Sequence, residues 1–520
     1  MDDEKKSSTK RKIIELCMEK DILITQELLD NSELFENFNF QDLQKKEAAV
    51  LNKEIFQTIY SKNMRAEGGA KEHIYQEQKE SDEKKELFSA KNTHTLSLKE
   101  GLEKGTVKII FSYSGKPKKR EVSDFVDYFN SRYKTLEKIL RNRQDLRSVI
   151  SISRVLQKRE RENVAIIGMI KDKQQTKGGN INLVIEDQTG EITVVVKKSK
   201  PELYELANNT TFDEVIGVVG GNSGKIVFAN NIYFPDIPHK ELKKCDDEVY
   251  ALFLSDLHIG SKKFLRDKFE RFLEWINLKT GSEAQKEIAS KTKYLFIAGD
   301  LVDGVGIYPI QESDLEIVDA YEQYEECTRL LERIPKHIQI IIIAGNHDSI
   351  RLAEPQPPFS KGFGESLLAL ENVVFVSNPS VVNIHSSNNF SGFDVLLYHG
   401  YSFDYYVANI SKIRFSGGYD RADLIMKYLL QKRHVAPAHT SAPYLPDTEH
   451  DPLTIGTVPD FFITGHIHKT AVAQYKATTL ICGSCWQDIT SFQIKVGHHP
   501  EPGRVPVANL KTREMKIMRF

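Results

Sequence analysis

The chain has 520 residues, length for about three to four domains at roughly 100–200 residues each. Its composition, 40% hydrophobic and 28% charged, is that of an ordinary globular protein with a real core. A net charge of −2 excludes an overall basic nucleic-acid surface, so any such binding must come from local patches.

Met1-Asp-Asp-Glu-Lys-Lys lacks an apolar signal core, and the aliphatic run Ile340 to Ala344 is far shorter than a membrane span. The expected location is cytoplasmic, with no membrane partner. Five scattered cysteines agree with a reducing compartment. The one close pair, Cys482-Gly-Ser-Cys485, has no second pair or matched histidines to complete a zinc site. It reads as buried or incidental.

In chain order, Ile13, Ile14, Leu16, Ile22, Ile24, Leu28 and Leu29 predict a helical module over 1–60. Residues 61–104 turn polar, as in Gln76-Glu-Gln-Lys-Glu-Ser-Asp-Glu-Lys-Lys-Glu86, and predict a solvated linker. The span 105–240 is expected to form one β-barrel domain with a preceding helix. A strand over Val107 to Tyr113 comes first. The helix follows from Ser123, with Phe125, Phe129, Tyr133, Leu136 and Leu140 along its core face. Arg141, Arg143 and Arg147 after it suit either phosphates or a solvated face.

Five strands are predicted at Val164–Ile170, Ile181–Glu186, Ile192–Lys197, Glu214–Val219 and Lys225–Phe234, most separated by Gly/Asn/Asp turns. A helix fits Lys200–Asn208, and the set suits an OB-type barrel. The first three strands hold no Phe, Tyr or Trp, so a docking or structural barrel is favoured over a strong single-strand binder. Pro235-Asp-Ile-Pro238 reads as a stiff hinge into a last domain over 241–520.

That domain alternates strands with helices. Five of its apolar runs end in polar clusters. Tyr250–Leu254 runs into Ser255-Asp256-Leu-His258, and Tyr294–Ala298 into Gly299-Asp300-Leu-Val-Asp303. Ile340–Ala344 runs into Gly345-Asn346-His347-Asp348, Val395–Leu397 into Tyr398-His399-Gly400, and Phe461–Thr464 into Gly465-His466-Ile-His468. Such runs are buried strands, and their carboxyl ends are expected along one edge of a sheet, where open α/β folds place ligands. Asp256 and His258 alternate by two, as do His466 and His468, so each pair points one way from an extended segment. Imidazole and carboxylate together favour manganese, iron, zinc or nickel over calcium. Asp300 is the best bridge between two cations roughly 3.5–4 Å apart, which would activate water and neutralise phosphoryl oxygens.

This motif series, in this order, resembles the calcineurin-like metallophosphoesterase superfamily. The resemblance implies a four-layer α/β/β/α sandwich. It implies one metal on Asp256, His258, Asp300 and His468, and a second on Asp300, Asn346, His399 and His466. It also implies that His347 acts beside the scissile phosphate as general acid or charge stabiliser, with Asp348 orienting it. The two divalent ions are expected to be manganese, with iron, zinc, nickel or magnesium as alternatives.

The wider layout, with Phe125-Val-Asp-Tyr-Phe129 and Val458-Pro-Asp-Phe461, is similar to the small-subunit family of archaeal D-family DNA polymerases. That resemblance covers most of 105–520. It implies a 3′–5′ exonuclease acting on single-stranded or mismatched DNA 3′ ends, proofreading for a separate large polymerase subunit. The N-terminal module is a further candidate site for other replication factors. Two alternatives stand beside it: a scaffold or processivity subunit without turnover, and a phosphoesterase acting on nucleotides or phosphoproteins. The segment His434–Pro459, with prolines at 437, 443, 446, 452 and 459, reads either as a cover or partner surface or as a rigid excursion. Its His434, His439 and His450 are not assigned as ligands. The stretch from Trp486 to Phe520 either completes the domain or docks the large subunit.

Overall fold

The computed structural model describes residues 107–520, apart from 116, 117, 160, 361, 363, 448 and 497, together with two short N-terminal strands. The chain divides into two units, Met1–Lys91 and Asn92–Phe520. In the first unit, Leu23–Ile24 and Val50–Leu51 pair in parallel. The rest of the expected helical module and the polar linker lie outside the described residues.

In the second unit, β1 (Lys108–Ser112) is followed by α1 (Val122–Arg141) and the short α2 (Ile152–Gln157). A closed five-strand barrel follows: β2 (Asn163–Gln175), β3 (Ile181–Asp187), β4 (Gly190–Val196), β5 (Val215–Ser223) and β6 (Ile226–Tyr233). The order around it is β2-β3-β4-β6-β5, with β5 closing on β2. Helix α3 (Pro201–Asn208) sits between the third and fourth strands, where the sequence predicts it. Alternating Ile181, Leu183, Ile185 and Ile192, Val194, Val196 point inward, which is why a period of two made these strands legible.

Helix α1 buries Tyr133, Leu136 and Leu140 as expected, but Phe125 stays 40% exposed. Its buried face is shifted to include Tyr128 and Arg132. Arg132 donates to Asp451 at 2.6 Å and to the Pro437 carbonyl at 2.7 Å, and His434 Nε2 lies 2.7 Å from the same Asp451 oxygen. The proline-rich excursion is thus clasped to α1. Arg141 pairs with Glu137 on the solvent side. The hinge segment is also tied down: Asp236 meets Lys476 at 2.7 Å, and Ile237 is buried.

The last part contains two six-stranded sheets. The first runs in the order β10 (Val373–Phe375), β9 (Gln339–Ile343), β8 (Thr292–Ala298), β7 (Tyr250–Leu254), β16 (Arg504–Asn509), β17 (Met515–Arg519). The second runs in the order β14 (Ala471–Tyr475), β15 (Thr478–Cys482), β13 (Phe461–Thr464), β12 (Phe393–Leu397), β11 (Ser380–Ile384), β1. One apolar layer joins them, with Phe253, Phe296 and Ile341 from the first and Val382, Leu397 and Ile463 from the second. Helices α4 (Arg266–Ile276), α5 (Glu283–Ser290) and α6 (Ala320–Leu331) cover the outer face of the first sheet. Helices α8 (Phe403–Asn409) and α10 (Ala422–Lys432) cover the second. Helices α7 (Glu365–Leu368), α9 (Ser411–Phe415) and α11 (Ser491–Val496) lie in the connections. The result is the α/β/β/α sandwich.

Two expectations need correction. The span 105–240 is not all barrel: β1 pairs antiparallel with β11, Val381 opposite Phe111 and Asn383 opposite Lys108, and so extends the second sheet. An edge strand with free N–H and C=O groups recruits whichever strand reaches it, and separation along the chain does not forbid that. The five chemistry-bearing strands also do not share one sheet. β7, β8 and β9 belong to the first, and β12 and β13 to the second. Buried aliphatic strands look alike locally, so their apolar runs do not specify which sheet they join. The C-terminal stretch completes the first sheet, since β16 pairs antiparallel with β7. Cys245, Cys327, Cys482 and Cys485 are buried free thiols. Among the described residues no helix is long and apolar enough to cross a membrane.

Candidate metal centre

The carboxyl ends of β7, β8, β9, β12 and β13 converge from both sheets on one cluster. Asp256, His258, Asp300 and His399 are at most 2% exposed, and His468 is 7% exposed. Asn346, His347 and His466 are only partly buried and form the open side. Asp256, His258 and His468 hold candidate ligand atoms within 4.8 Å of one another, and so do Asp256, Asp300 and His399.

The geometry divides in two around Asp300. On one side, His258 Nε2 lies 3.8 Å from Asp300 Oδ2 and 3.0 Å from His468 Nε2, which is itself 3.6 Å from Asp256 Oδ1. On the other, His399 Nε2 lies 3.4 Å from the same Asp300 oxygen. Asn346 Oδ1 sits between His399 Nε2, at 2.9 Å, and His466 Nδ1, at 3.0 Å. Each half brings imidazole nitrogens within reach of carboxylate or amide oxygens, the donor chemistry of a borderline divalent cation. The residues present therefore fit the pair of divalent ions.

Remote groups orient these rings. His258 Nδ1 is 3.1 Å from Asp303 Oδ1, and Asp303 is held in turn by the amides of Gln487 and Gln311 at 2.8 and 3.0 Å. His399 Nδ1 donates to the Ala298 carbonyl at 2.7 Å, which turns Nε2 toward the cluster. Gln493 contacts His468 Nδ1 at 2.9 Å, and Asp404 contacts His466 Nε2 at 3.1 Å. Sequence reasoning missed Asp404 and Gln493 altogether. Asp303 was visible as the last residue of its motif but had no assigned role.

The i, i+2 pairs do not lie in extended segments. Asp256 and His258 have φ of 52° and 51°, Asp300 has 52°, and His466 and His468 have 73° and 54°. Left-handed backbone costs an L-residue roughly 1–2 kcal/mol. Five such residues in one cluster mark strain that the surrounding fold must offset. The exits are held by parallel pairing continued past the strand ends: Asp256 N–H donates to Gly299 O at 3.0 Å and His258 N–H to Asp300 O at 3.1 Å.

Asp348 does not orient the His347 ring. Its carboxylate accepts from the backbone N–H groups of Asp300, Leu301 and Gly345 at 3.0, 3.1 and 2.8 Å, and from the Tyr324 hydroxyl at 3.3 Å. Donors left unpaired where β8 and β9 end claim it first. The His347 ring is set instead by Nδ1 against the Asp303 carbonyl at 2.8 Å, and its backbone N–H donates to Asp300 Oδ1 at 2.8 Å.

Burial disfavours a charged His258, but Asp303, Asp300 and Asp256 outweigh it and raise its pKa to about 9. His399 is raised to about 10 against burial, chiefly by Asp300. Burial also opposes a charged Asp300, yet the neighbouring His399 charge holds it well below the usual carboxylate range. Burial lowers His347 and, with the neighbouring His258 charge, lowers His468 further.

This sandwich carries a histidine–carboxylate cluster at its strand ends, and residues 250–470 match the family of calcineurin-like phosphoesterases. Over 400 residues the chain is 41% identical to the DNA polymerase II small subunit of Methanothermobacter thermautotrophicus, a match covering 77% of this chain and 80% of that protein. It is 39% identical to the DNA polymerase II small subunit of Archaeoglobus fulgidus, covering 77% of this chain and 78% of that one. Against the subunit of the same name from Methanocaldococcus jannaschii it is 38% identical, covering 75% of this chain and 64% of that one. The chain belongs to the DNA polymerase II small subunit family.

Proposed function

We propose that this subunit is a 3′–5′ exonuclease that removes nucleotides from single-stranded or mismatched DNA ends for a large polymerase subunit. The observation that carries the reading is the convergence of seven ligand-type side chains, from five strand ends in two sheets, on one half-open cluster. A scaffold has no need of five residues held in strained backbone around buried charge.

Asp256, His258, Asp300 and His468 would hold one divalent ion, and Asp300, Asn346, His399 and His466 the other, with manganese the preferred metal. Bound ions would supply neutralisation of the phosphoryl oxygens and an acidified water for in-line attack. The protein's own part is orientation and proton handling. Asp303 and the Ala298 carbonyl take the Nδ1 protons of His258 and His399, so each Nε2 faces the cluster. His347, with Nδ1–H committed to the Asp303 carbonyl, keeps Nε2 for the substrate. Burial leaves that ring neutral at rest, so it donates to a departing 3′-oxygen only after gaining a second proton beside the anionic phosphodiester.

The test is an end-labelled single strand incubated with the purified chain and manganese, beside small phosphate esters. Stepwise release of mononucleotides, abolished in His347→Ala, is the expected result. Hydrolysis of small esters alone would favour the nucleotide or phosphoprotein alternative, and no hydrolysis with intact binding of the large subunit would favour the scaffold.

A further inference from the structure

His466, on the partly buried side of the cluster, has aromatic neighbours. Tyr401, two residues past His399, places its ring 5.8 Å from that of His466 at a 40° tilt. Asp404 contacts the Nε2 of the same His466 at 3.1 Å. The Tyr419 ring lies 4.2 Å from that of His498, tilted by 55°. The His498 N–H donates to the Gln493 carbonyl at 2.8 Å, and the Gln493 side chain returns to His468. Contacts thus run from the Tyr419 ring through His498 and Gln493 to His468, while Tyr401 flanks His466. Tyr401, Tyr419 and His498 are all only half-buried.

We infer that Tyr401, Tyr419 and His498 form a stacking wall for the unpaired bases beside the scissile phosphate. The inference rests on the exonuclease reading and adds to it the group that selects the strand. A base in a duplex already has neighbours on both faces and must leave them, at a cost, to meet a protein ring. An unpaired terminal base has lost a neighbour, and a tyrosine replaces it. Every base offers a π-face, so such a wall discriminates paired from unpaired ends without reading sequence. It also explains how a chain whose first three barrel strands carry no aromatic residue still grips a single strand.

The test uses two oligonucleotides with identical phosphates, one normal and one abasic at its last two 3′ positions. From the known range of base–aromatic stacking, wild type should show a KM about tenfold or more lower for the normal strand. Tyr401→Leu and Tyr419→Leu should bring that ratio close to one, while Tyr401→Phe and Tyr419→Phe, which lose the hydroxyl and keep the ring, should preserve it. A second readout needs no turnover: in a His347→Ala background, a 3′-terminal 2-aminopurine should lose fluorescence on binding, and the Leu variants should abolish that loss. Equal KM values in wild type, Leu variants that keep the preference, or Phe variants that behave like Leu would each overturn the wall. Quenching without hydrolysis by wild type would overturn the exonuclease reading and leave the wall standing.

Discussion

Gly345→Ala adds one methyl group and should disable the centre. A Cβ at that position would lie 2.2 Å from Asp300 Oδ1, 2.5 Å from the Asp300 nitrogen and 2.8 Å from its Cγ. Ordinary contacts settle near 3.5 Å, so one side must retreat by roughly 1 Å. Neither side is free to do so. Asp300 is 2% exposed, its nitrogen is held by Asp348 and its Oδ1 by the His347 N–H. The Gly345 nitrogen is held by the same Asp348 carboxylate. Overpacking of this kind costs about 1–3 kcal/mol of stability. A displacement near 1 Å of the group shared by both halves should slow hydrolysis by about 100-fold. Calorimetric titration with manganese should show affinity reduced at least tenfold, on the order of the loss seen when groups orienting a metal ligand are disturbed. Gly456→Ala is the control, since nothing lies within 4 Å of its added Cβ. Wild-type manganese affinity and wild-type rate in Gly345→Ala would show that this close approach does not hold Asp300 in place.

Asp348→Asn should cost about 1–3 kcal/mol in urea unfolding, because an amide turns a donor toward backbone N–H groups that need an acceptor; an unchanged midpoint would contradict the role assigned to it. Arg132→Met should cost about 3–5 kcal/mol by stranding the buried Asp451. Burial pushes the Asp451 carboxyl up, but Arg132 and His434 outweigh it and hold the group well below the usual range. Its contribution is therefore present above the ordinary carboxylate pKa and lost as pH falls below it, so the gap between wild type and variant should narrow on acidification. Glu354 runs the other way: burial raises its carboxyl to about 8, so the folded form is the neutral acid. That contribution is complete below the ordinary carboxylate pKa and lost as pH rises through 8, so the melting temperature of Glu354→Gln should gain on wild type between pH 5 and pH 9. A constant difference across that range would refute it.

Much of the fold was legible locally. The barrel strands followed from alternation of Ile181, Leu183 and Ile185 between glycine-bearing turns, and the helix at Pro201–Asn208 fell between them. The strand ends of the centre were legible because unbroken aliphatic runs such as Ile340–Ile343 stop at polar side chains. The partner of β1 was not legible, since a five-residue strand carries no mark of which distant edge it will join. Nor was the left-handed backbone at Asp256, His258, Asp300, His466 and His468, residue types that do not advertise it as glycine does.

The order of residues alone determined which side chains could bind cations and that each would stand at the end of a buried strand. Only the tertiary structure decided that those strands divide between two sheets facing across one apolar layer, and which atom of each ring points inward. The physical reason is that an imidazole's free nitrogen is chosen by the acceptor that takes its other proton. Those acceptors, Asp303 for His258 and the Ala298 carbonyl for His399, arrive from other strands through contacts that no local pattern encodes.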